Sequence, residues 1–261
     1  MSFGFIIVLF VIGIAGSFLS GMAGIGGAIV KFPMLLFIPP LFGLTALTAH
    51  EVSGISAVEI FFASIAGVFA YRKTGLLHKR LILYMGGGVL AGSFIGGLVS
   101  GWLAEETVSL VYGVLAVVAA VLLFIPRKKT EDRPADEVTF NRWLAAGLAF
   151  AVGIASGIVG AGGAFILVPI MLTVLAIPTR ITVASSLAIT FISSIGSAAG
   201  KIATGQVLWG PVIVLIVAAL IAAPLGAKAG RRVNPSVLKW ILAVLILATA
   251  VNIWSDLLFA K

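Results

Sequence analysis

The stretch SGMAGIGGAIVKFP, residues 20–33, places four glycines and a lysine inside an otherwise apolar segment. Each glycine weakens a helix by about 1 kcal/mol relative to alanine and lets another chain segment approach the backbone closely. Such closely spaced glycines predict a break in a helix. The glycines concerned are Gly21, Gly24, Gly26 and Gly27.

Around this stretch the chain consists of long apolar runs. Its 261 residues are 61% hydrophobic and 10% charged, whereas a soluble domain is about half apolar. Runs of about twenty apolar residues match the length that crosses ~30 Å of hydrocarbon, and long runs favour helices over a membrane barrel. They include residues 81–103, 108–125, 211–227 and 237–253. We therefore predict an all-α polytopic membrane protein.

Composition also excludes several functions. The net charge is +8, but the basic residues lie in short loops rather than on one amphipathic face, so we expect no nucleic-acid partner. The chain has no cysteine and two histidines, which argues against thiol chemistry and a dedicated metal site. Because no catalytic cluster is visible, we predict neither an enzyme nor a cofactor.

The glycine motif occurs twice. SGIVGAGGAFILVP, residues 156–169, follows the first copy at an offset of 136, and seven of the fourteen positions are identical. Both copies fit S-G-x-x-G-x-G-G-A-x(4)-P, and the offset settles at 130 further along, where Thr74-Gly75 corresponds to Thr204-Gly205. The second break is predicted at Gly157, Gly160, Gly162 and Gly163.

The duplication divides the chain into two transmembrane repeats. We predict an N-terminal repeat at residues 1–126, a polar cytoplasmic linker at 127–142 and a C-terminal repeat at 143–261. Each repeat has about five helical segments. Whether the short segments after the glycine turns span the membrane or re-enter it stays open at this stage.

Loop charges predict how the repeats are oriented. The loop at residues 71–80 carries four basic residues, whereas its counterpart at 204–210 carries none. The connection at 103–107 is acidic, whereas its counterpart carries Lys228, Arg231 and Arg232. Because basic loops stay in the cytoplasm, this reversal predicts inverted repeats. The two glycine breaks would then meet near the midplane, with the N-terminus outside.

A break of this kind suits a small anion. A helix that restarts after a break presents free N–H groups and a partial positive charge. Hydroxyls can donate further hydrogen bonds, so Ser20, Ser53, Ser156 and Ser186 join the eight motif glycines as candidate binding residues. The alternative for glycines is close helix packing, which we favour for the series Gly88, Gly92 and Gly96.

Ionisable residues inside apolar segments are functional candidates. Lys31 follows the first break by about one turn and could bind the anion, or its side chain could reach the membrane surface. Glu59, and with it Glu51 and His50, could couple transport to protons. Alternatively Glu59 pairs with Lys31 or with a backbone donor, and His50 and Glu51 lie at the membrane edge. We expect Lys201 to be interfacial.

The duplicated motif resembles the TauE/SafE sulfite exporter family, also called the TSUP permeases. Each copy is followed by a hydroxyl-rich helix, around Ser53 or at Ser185-Ser186-Leu187, and then by a Thr-Gly loop. The resemblance implies a permease of the plasma (inner) membrane for sulfite, sulfoacetate or other organosulfonates, coupled to a proton or ion gradient. Lys31 and His50-Glu51 depart from the usual pattern of the family.

These observations together predict a secondary active transporter for small sulfur-containing anions. Two alternatives stay open: a passive anion channel, and a proton-coupled permease for a small carboxylate or another oxyanion. The expected partners are the anionic substrate, the lipid bilayer and the ion gradient, and a homodimer remains open.

Overall fold

The computed structural model describes residues 1–23, 28–72, 74–124 and 138–230. Within these ranges the chain forms nine α-helices, one 3-10 turn and no strand, which confirms the all-α prediction. The helices are α1 (Phe3–Ala23), α2 (Ala28–Leu41), α3 (Ala49–Tyr71), α4 (Lys79–Val99), α5 (Glu105–Phe124), α6 (Arg142–Val159), α7 (Ala164–Thr173), α8 (Thr179–Ala203) and α9 (Trp209–Gly230). Most of the predicted linker and the fifth segment of the second repeat lie outside the described residues.

Six of the described helices are long and apolar enough to cross a membrane: α1, α3, α4, α6, α8 and α9. The helices that follow the glycine motifs are shorter, with 14 residues in α2 and 10 in α7. At 1.5 Å per residue they are about 21 Å and 15 Å long, short of the ~30 Å hydrocarbon layer. Neither α2 nor α7 is therefore long enough to span alone.

Helices α3 and α8 form the centre of the bundle. In the most apolar stretch of each spanning helix, 78% of the residues of α8 and 65% of those of α3 are buried, against 33–50% in the other four helices. The rings of Phe61 and Phe191 stack across the contact with centroids 5.3 Å apart. Gly54, near the start of α3, lies against Gln206 just beyond α8. Gly67, near the end of α3, lies against Leu187 early in α8, so the two helices run antiparallel.

Two parallel pairs of helices flank this centre. On α4, a methyl group added at Gly88, Gly92 or Gly96 would clash with a carbonyl oxygen of α6, which confirms that this series serves close packing. Helices α1 and α9 approach each other in the same way. A methyl group at Gly21 would clash with the Ala223 carbonyl oxygen, so this motif glycine also has a packing role.

Local capping explains where α3 and α4 begin. Thr48 and Glu51 form a capping box at the start of α3: the Thr48 hydroxyl accepts from the Glu51 backbone at 3.2 Å, and Oε2 of Glu51 accepts from the Thr48 backbone at 2.9 Å. This arrangement satisfies two backbone donors that a helix leaves free. His78 caps α4 because its Nδ1 accepts from the Leu81 backbone at 3.2 Å.

Candidate functional site

A lysine, a serine and a glutamate from three helices meet inside the bundle. Lys31 of α2 donates through Nζ to Oε2 of Glu59 on α3, and each residue is 1% exposed. Ser17 of α1 joins them, since its Oγ accepts from Lys31 at 3.3 Å and donates to Oε1 of Glu59 at 3.2 Å. Pairing offsets the large cost of burying either charge alone. Glu59 is therefore paired with Lys31, and its role in proton coupling stays a prediction.

This ion pair lies at the middle of a spanning helix. Glu59 follows Ala49, the first of 23 residues in α3, by ten positions, which is about 15 Å along the axis. That distance is half of the ~30 Å hydrocarbon thickness. The alternative in which Lys31 reaches the membrane surface is therefore wrong, because its side chain turns inward to the carboxylate.

A small cavity adjoins Lys31. Its volume is about 20 Å³, which is room for a single water molecule. Three hydroxyl-bearing residues share its wall with Lys31, and small or aliphatic residues form the remainder. The lining residues are Ser20, Gly21, Lys31, Ile60, Ala63, Ser64, Gly67, Leu187, Thr190, Ala223 and Ala227. The cavity thus combines one cation with three hydroxyl-bearing residues in an otherwise apolar enclosure. The Ser64 and Thr190 hydroxyls donate to the carbonyls of Phe61 and Ser186 at 3.0 Å and 2.7 Å, so each must rotate before it can donate to a ligand.

The second glycine motif breaks the helix, as predicted. Helix α6 ends at Val159 and α7 begins at Ala164. Between them Gly160, Gly162 and Gly163 have positive φ values of 71°, 65° and 71°, a conformation that other residues rarely adopt. Of the first motif, Ser20 and Gly21 line the cavity, whereas Gly24, Gly26 and Gly27 lie outside the described residues.

The second break packs against two residues that line the cavity. A methyl group at Gly162 would lie 3.0 Å from the side chains of both Ile60 and Thr190, and these residues also line the cavity. Gly160 instead packs on the backbone carbonyl of Ser53, which leaves no room for a side chain. Ile60 and Thr190 therefore separate the second break from the cavity.

Two candidates beside this break have local partners. The Ser156 hydroxyl donates to the Gly153 carbonyl at 3.1 Å within α6. Gly157 packs against the Ser93 carbonyl of α4 so closely that a methyl group would clash. Gly157 therefore has a packing role, whereas the Ser156 hydroxyl lies next to Gly163 at the turn.

A second buried lysine forms a separate cluster. Lys201 of α8 is 0% exposed and donates to three neutral oxygens: Oγ of Ser53 at 2.6 Å, the Ile158 carbonyl at 2.7 Å and Oε1 of Gln206 at 2.8 Å. An ammonium group has three donors, so all are used. These oxygens hold the side chain inside the protein, two positions before the end of α8, and the expectation that Lys201 lies at the depth of the membrane interface stays a prediction.

The remaining predicted residues have the following partners. His50 joins the Lys201 cluster, with Nδ1 at 3.1 Å from Oε1 of Gln206 and Nε2 at 3.1 Å from the Leu103 carbonyl. Glu51 belongs to the capping box of α3. Ser186 is buried and donates to the Val183 carbonyl at 3.0 Å. The roles assigned to these residues stay predictions.

Sequence reasoning missed several polar residues at both clusters. Ser17 joins the ion pair, Ser64 and Thr190 line the cavity, and Gln206 binds Lys201. Ser17 lies three positions before Ser20 on α1, a helical spacing that was a usable signal. The sequence offered no comparable signal for Gln206, because its contact with Lys201 depends on the conformation of the loop after α8.

In the ranges that the structure describes, no group of three or more His, Asp or Glu residues could hold a metal.

Comparison with known proteins agrees with this architecture. A sequence profile described as Sulfite exporter TauE/SafE matches residues 9–253. The chain is 26% identical over 259 residues to Probable membrane transporter protein YunE of Bacillus subtilis (strain 168), covering 92% of this chain and 94% of that protein.

Two further relatives carry similar names. Probable membrane transporter protein YdhB of the same organism is 27% identical over 239 residues, covering 90% of this chain and 92% of its own length. A probable membrane transporter protein of Haemophilus influenzae is 25% identical over 268 positions, covering 97% and 99%. No solved structure is a significant match. The profile covers most of the chain, and the chain therefore belongs to the TauE/SafE sulfite exporter family.

Proposed function

We propose that this multi-pass membrane protein is a proton-coupled secondary active transporter of small sulfur-containing anions across the plasma membrane. Sulfite, sulfoacetate and other organosulfonates are the proposed substrates. The observation that carries the proposal is the buried pair of Lys31 and Glu59 at mid-span, beside a cavity with hydroxyl-bearing walls. The names of the family and of the relatives above support transport as the general function.

The proposed mechanism is an exchange of partners at Lys31. An incoming anion binds Nζ of Lys31, receives hydrogen bonds from hydroxyls of the cavity wall and displaces the Glu59 carboxylate. A carboxylate left buried without a cation is costly as an anion, so Glu59 takes up a proton. Anion and proton then cross together, and Glu59 returns to Lys31 when both have left.

The geometry of the cavity indicates a closed state. Its volume of about 20 Å³ holds one water molecule, and a sulfonate group with three oxygens is larger. Substrate entry therefore requires α1 and α9, which contribute Ser20, Gly21, Ala223 and Ala227 to the wall, to move relative to α3 and α8. Such rocking of one bundle against another is the usual motion of transporters with inverted repeats.

Three contacts support the proposed inverted repeat. Phe61 and Phe191 are 130 positions apart (191 − 61), the offset between the halves, and they stack on each other. A two-fold axis brings equivalent residues together in this way. The close pairs α1 with α9 and α6 with α4 are also equivalent to each other under the repeat.

Met1 lies beside Gly210 at the start of α9. The N-terminus therefore shares the side of the uncharged loop at residues 204–210, which we propose is the outside.

A ligand screen tests the proposal. Purified protein is melted in detergent with sulfite, sulfoacetate, taurine, sulfate or acetate, because a ligand that binds only the folded state raises stability as RT ln(1 + [L]/Kd). We expect a sulfur oxyanion to raise the melting temperature of the wild type but not of Lys31→Met. The same shift in Lys31→Met would exclude Lys31 as the anion ligand. A response to acetate alone would favour the carboxylate permease.

Transport assays separate the carrier from the channel alternative. In sealed proteoliposomes a carrier accelerates exchange of labelled substrate when unlabelled substrate is present on the opposite side, and a pH gradient drives accumulation. A passive channel shows neither acceleration nor pH-driven accumulation. We expect both effects, and their absence in protein that binds the anion would contradict secondary active transport.

A further inference from the structure

A groove on the outer face of α4 is separate from the ion pair and the cavity. Its volume is about 530 Å³, and it runs from the loop after α3 along the first three turns of α4, with Ile192 of α8 on its far side. Arg72 and Lys79 line one end, and the rest is apolar, including Leu83 and Leu90. The groove has a basic end and a long apolar body.

Among the described residues, no carboxylate faces the basic end of the groove. Neither Arg72 nor Lys79 forms an ion pair with a carboxylate in the ranges that the structure describes, and no acidic residue lines the groove. The Arg72 guanidinium lies 4.8 Å from the centre of the Phe69 ring, a cation–π contact that restrains the side chain. Both side chains are exposed, so their donors can reach a phosphate.

The length of the groove matches one leaflet of a bilayer. Lys79 and Leu90 are eleven positions apart on α4, which is about 16 Å along the helix. One leaflet supplies about half of the ~30 Å hydrocarbon core. Gly87 keeps the floor open, since a methyl group added there would meet no atom within 4 Å. An acyl chain can therefore lie along α4 with its phosphate at the basic end.

We propose that this groove binds one anionic phospholipid of the surrounding bilayer. Its phosphate lies between Arg72 and Lys79, and one acyl chain packs along Leu83, Gly87 and Leu90. The sequence predicts that the loop carrying Arg72 faces the cytoplasm, and anionic lipids attract basic residues at that surface. The site is independent of the anion transport proposed above.

Native mass spectrometry of delipidated full-length protein tests the proposal. The protein is titrated with phosphatidylglycerol or phosphatidylcholine of identical acyl chains, and the bound lipid is counted. We expect the wild type to retain one phosphatidylglycerol at a lower concentration than phosphatidylcholine. The double variant Arg72→Gln/Lys79→Gln should lose this preference by about thirtyfold, since two juxtamembrane cations are removed. Equal retention of the two lipids by the wild type would overturn the proposal.

A matched pair of glycine variants tests where the acyl chain lies. Gly87→Leu fills the groove without touching the basic residues, whereas Gly147→Leu adds the same side chain on α6 at another helical glycine with no atom within 4 Å. We expect Gly87→Leu to weaken retention of both lipids and Gly147→Leu to leave it unchanged. If Gly87→Leu instead leaves lipid binding intact and disrupts a dimer, the groove is an interface between two copies and the proposal is wrong.

Discussion

Lys31 and Lys201 are buried to nearly the same degree, yet their partners differ in kind. Lys31 contacts a carboxylate and a serine, lines a cavity and lies at mid-span. Lys201 lies two positions before the end of α8 and donates to three neutral oxygens. Among the described residues Lys31 donates to two groups, one of them an exchangeable anionic partner, whereas Lys201 uses every donor on neutral oxygens. Burial of a lysine therefore does not by itself identify a binding site.

The partners of Lys201 indicate a structural role. Ser53 belongs to α3, Ile158 to α6 and Gln206 to the loop between α8 and α9. Through them one ammonium group joins three segments to α8, next to the turn after α6. We interpret this cluster as a clamp that holds one end of the bundle closed, and Lys31 as the ligand for the transported anion.

The largest expected effect comes from removing the carboxylate partner of Lys31. Glu59→Ala leaves a buried, unpaired cation and should lower the free energy of unfolding by about 3–5 kcal/mol, seen as a lower melting temperature. The neutral double variant Lys31→Met/Glu59→Gln is the control, and it should recover most of this stability because no charge remains buried. If the double variant is as unstable as Glu59→Ala, the loss does not arise from the unpaired charge.

The second largest loss of stability is expected at Gly160, where the second helix break packs on Ser53 of the Lys201 cluster. Gly160→Ala forces alanine into a left-handed conformation and pushes against the Ser53 carbonyl, so it should cost about 2–5 kcal/mol. Gly205→Ala imposes the same φ of 71° where no atom lies within 4 Å, and it should cost only about 1–2 kcal/mol. Equal melting temperatures for the two variants would contradict tight packing of Gly160 on α3.

Removing Lys201 distinguishes a clamp from a binding site. Lys201→Met leaves the Ile158 carbonyl without its partner and should cost about 1–3 kcal/mol in stability. Anion-dependent stabilisation should remain. Lys228→Met, on the exposed side of α9, is the matched control and should change stability by less than about 0.5 kcal/mol. Loss of anion binding in folded Lys201→Met protein would place Lys201 among the substrate ligands.

The smallest effect is expected at Ser17. Ser17→Ala removes the hydroxyl that bridges Lys31 and Glu59 at 3.3 Å and 3.2 Å while leaving the ion pair in place, and should cost about 0.5–1.5 kcal/mol. Ser64→Ala, which changes the cavity wall but not the pair, is the matched comparison. Ser64→Ala should reduce the anion-dependent rise in melting temperature while changing the melting temperature without anion less than Ser17→Ala does. An unchanged anion-dependent rise would contradict a contact between the Ser64 hydroxyl of the cavity wall and the anion.

The sequence predicted the membrane class and the second helix break, and it offered the pairing of Glu59 with Lys31 as one alternative. These features depend on local composition, on a repeated motif and on the rarity of charge within apolar segments. The Lys201 cluster could not be predicted from the sequence, because a backbone carbonyl of α6 and a loop glutamine supply two of the three acceptors. The packing roles of Gly21 and Gly157 likewise depend on carbonyl groups of neighbouring helices, which no pattern within either motif reveals.

The most direct test of the central claim measures proton and anion movement together in proteoliposomes containing wild type or Glu59→Gln. If the Lys31 and Glu59 pair exchanges partners as proposed, the wild type accumulates a sulfur oxyanion in response to a pH gradient. Glu59→Gln should then lose this accumulation while still exchanging labelled for unlabelled anion. Accumulation driven by the pH gradient at the wild-type rate in Glu59→Gln would contradict proton coupling through Glu59.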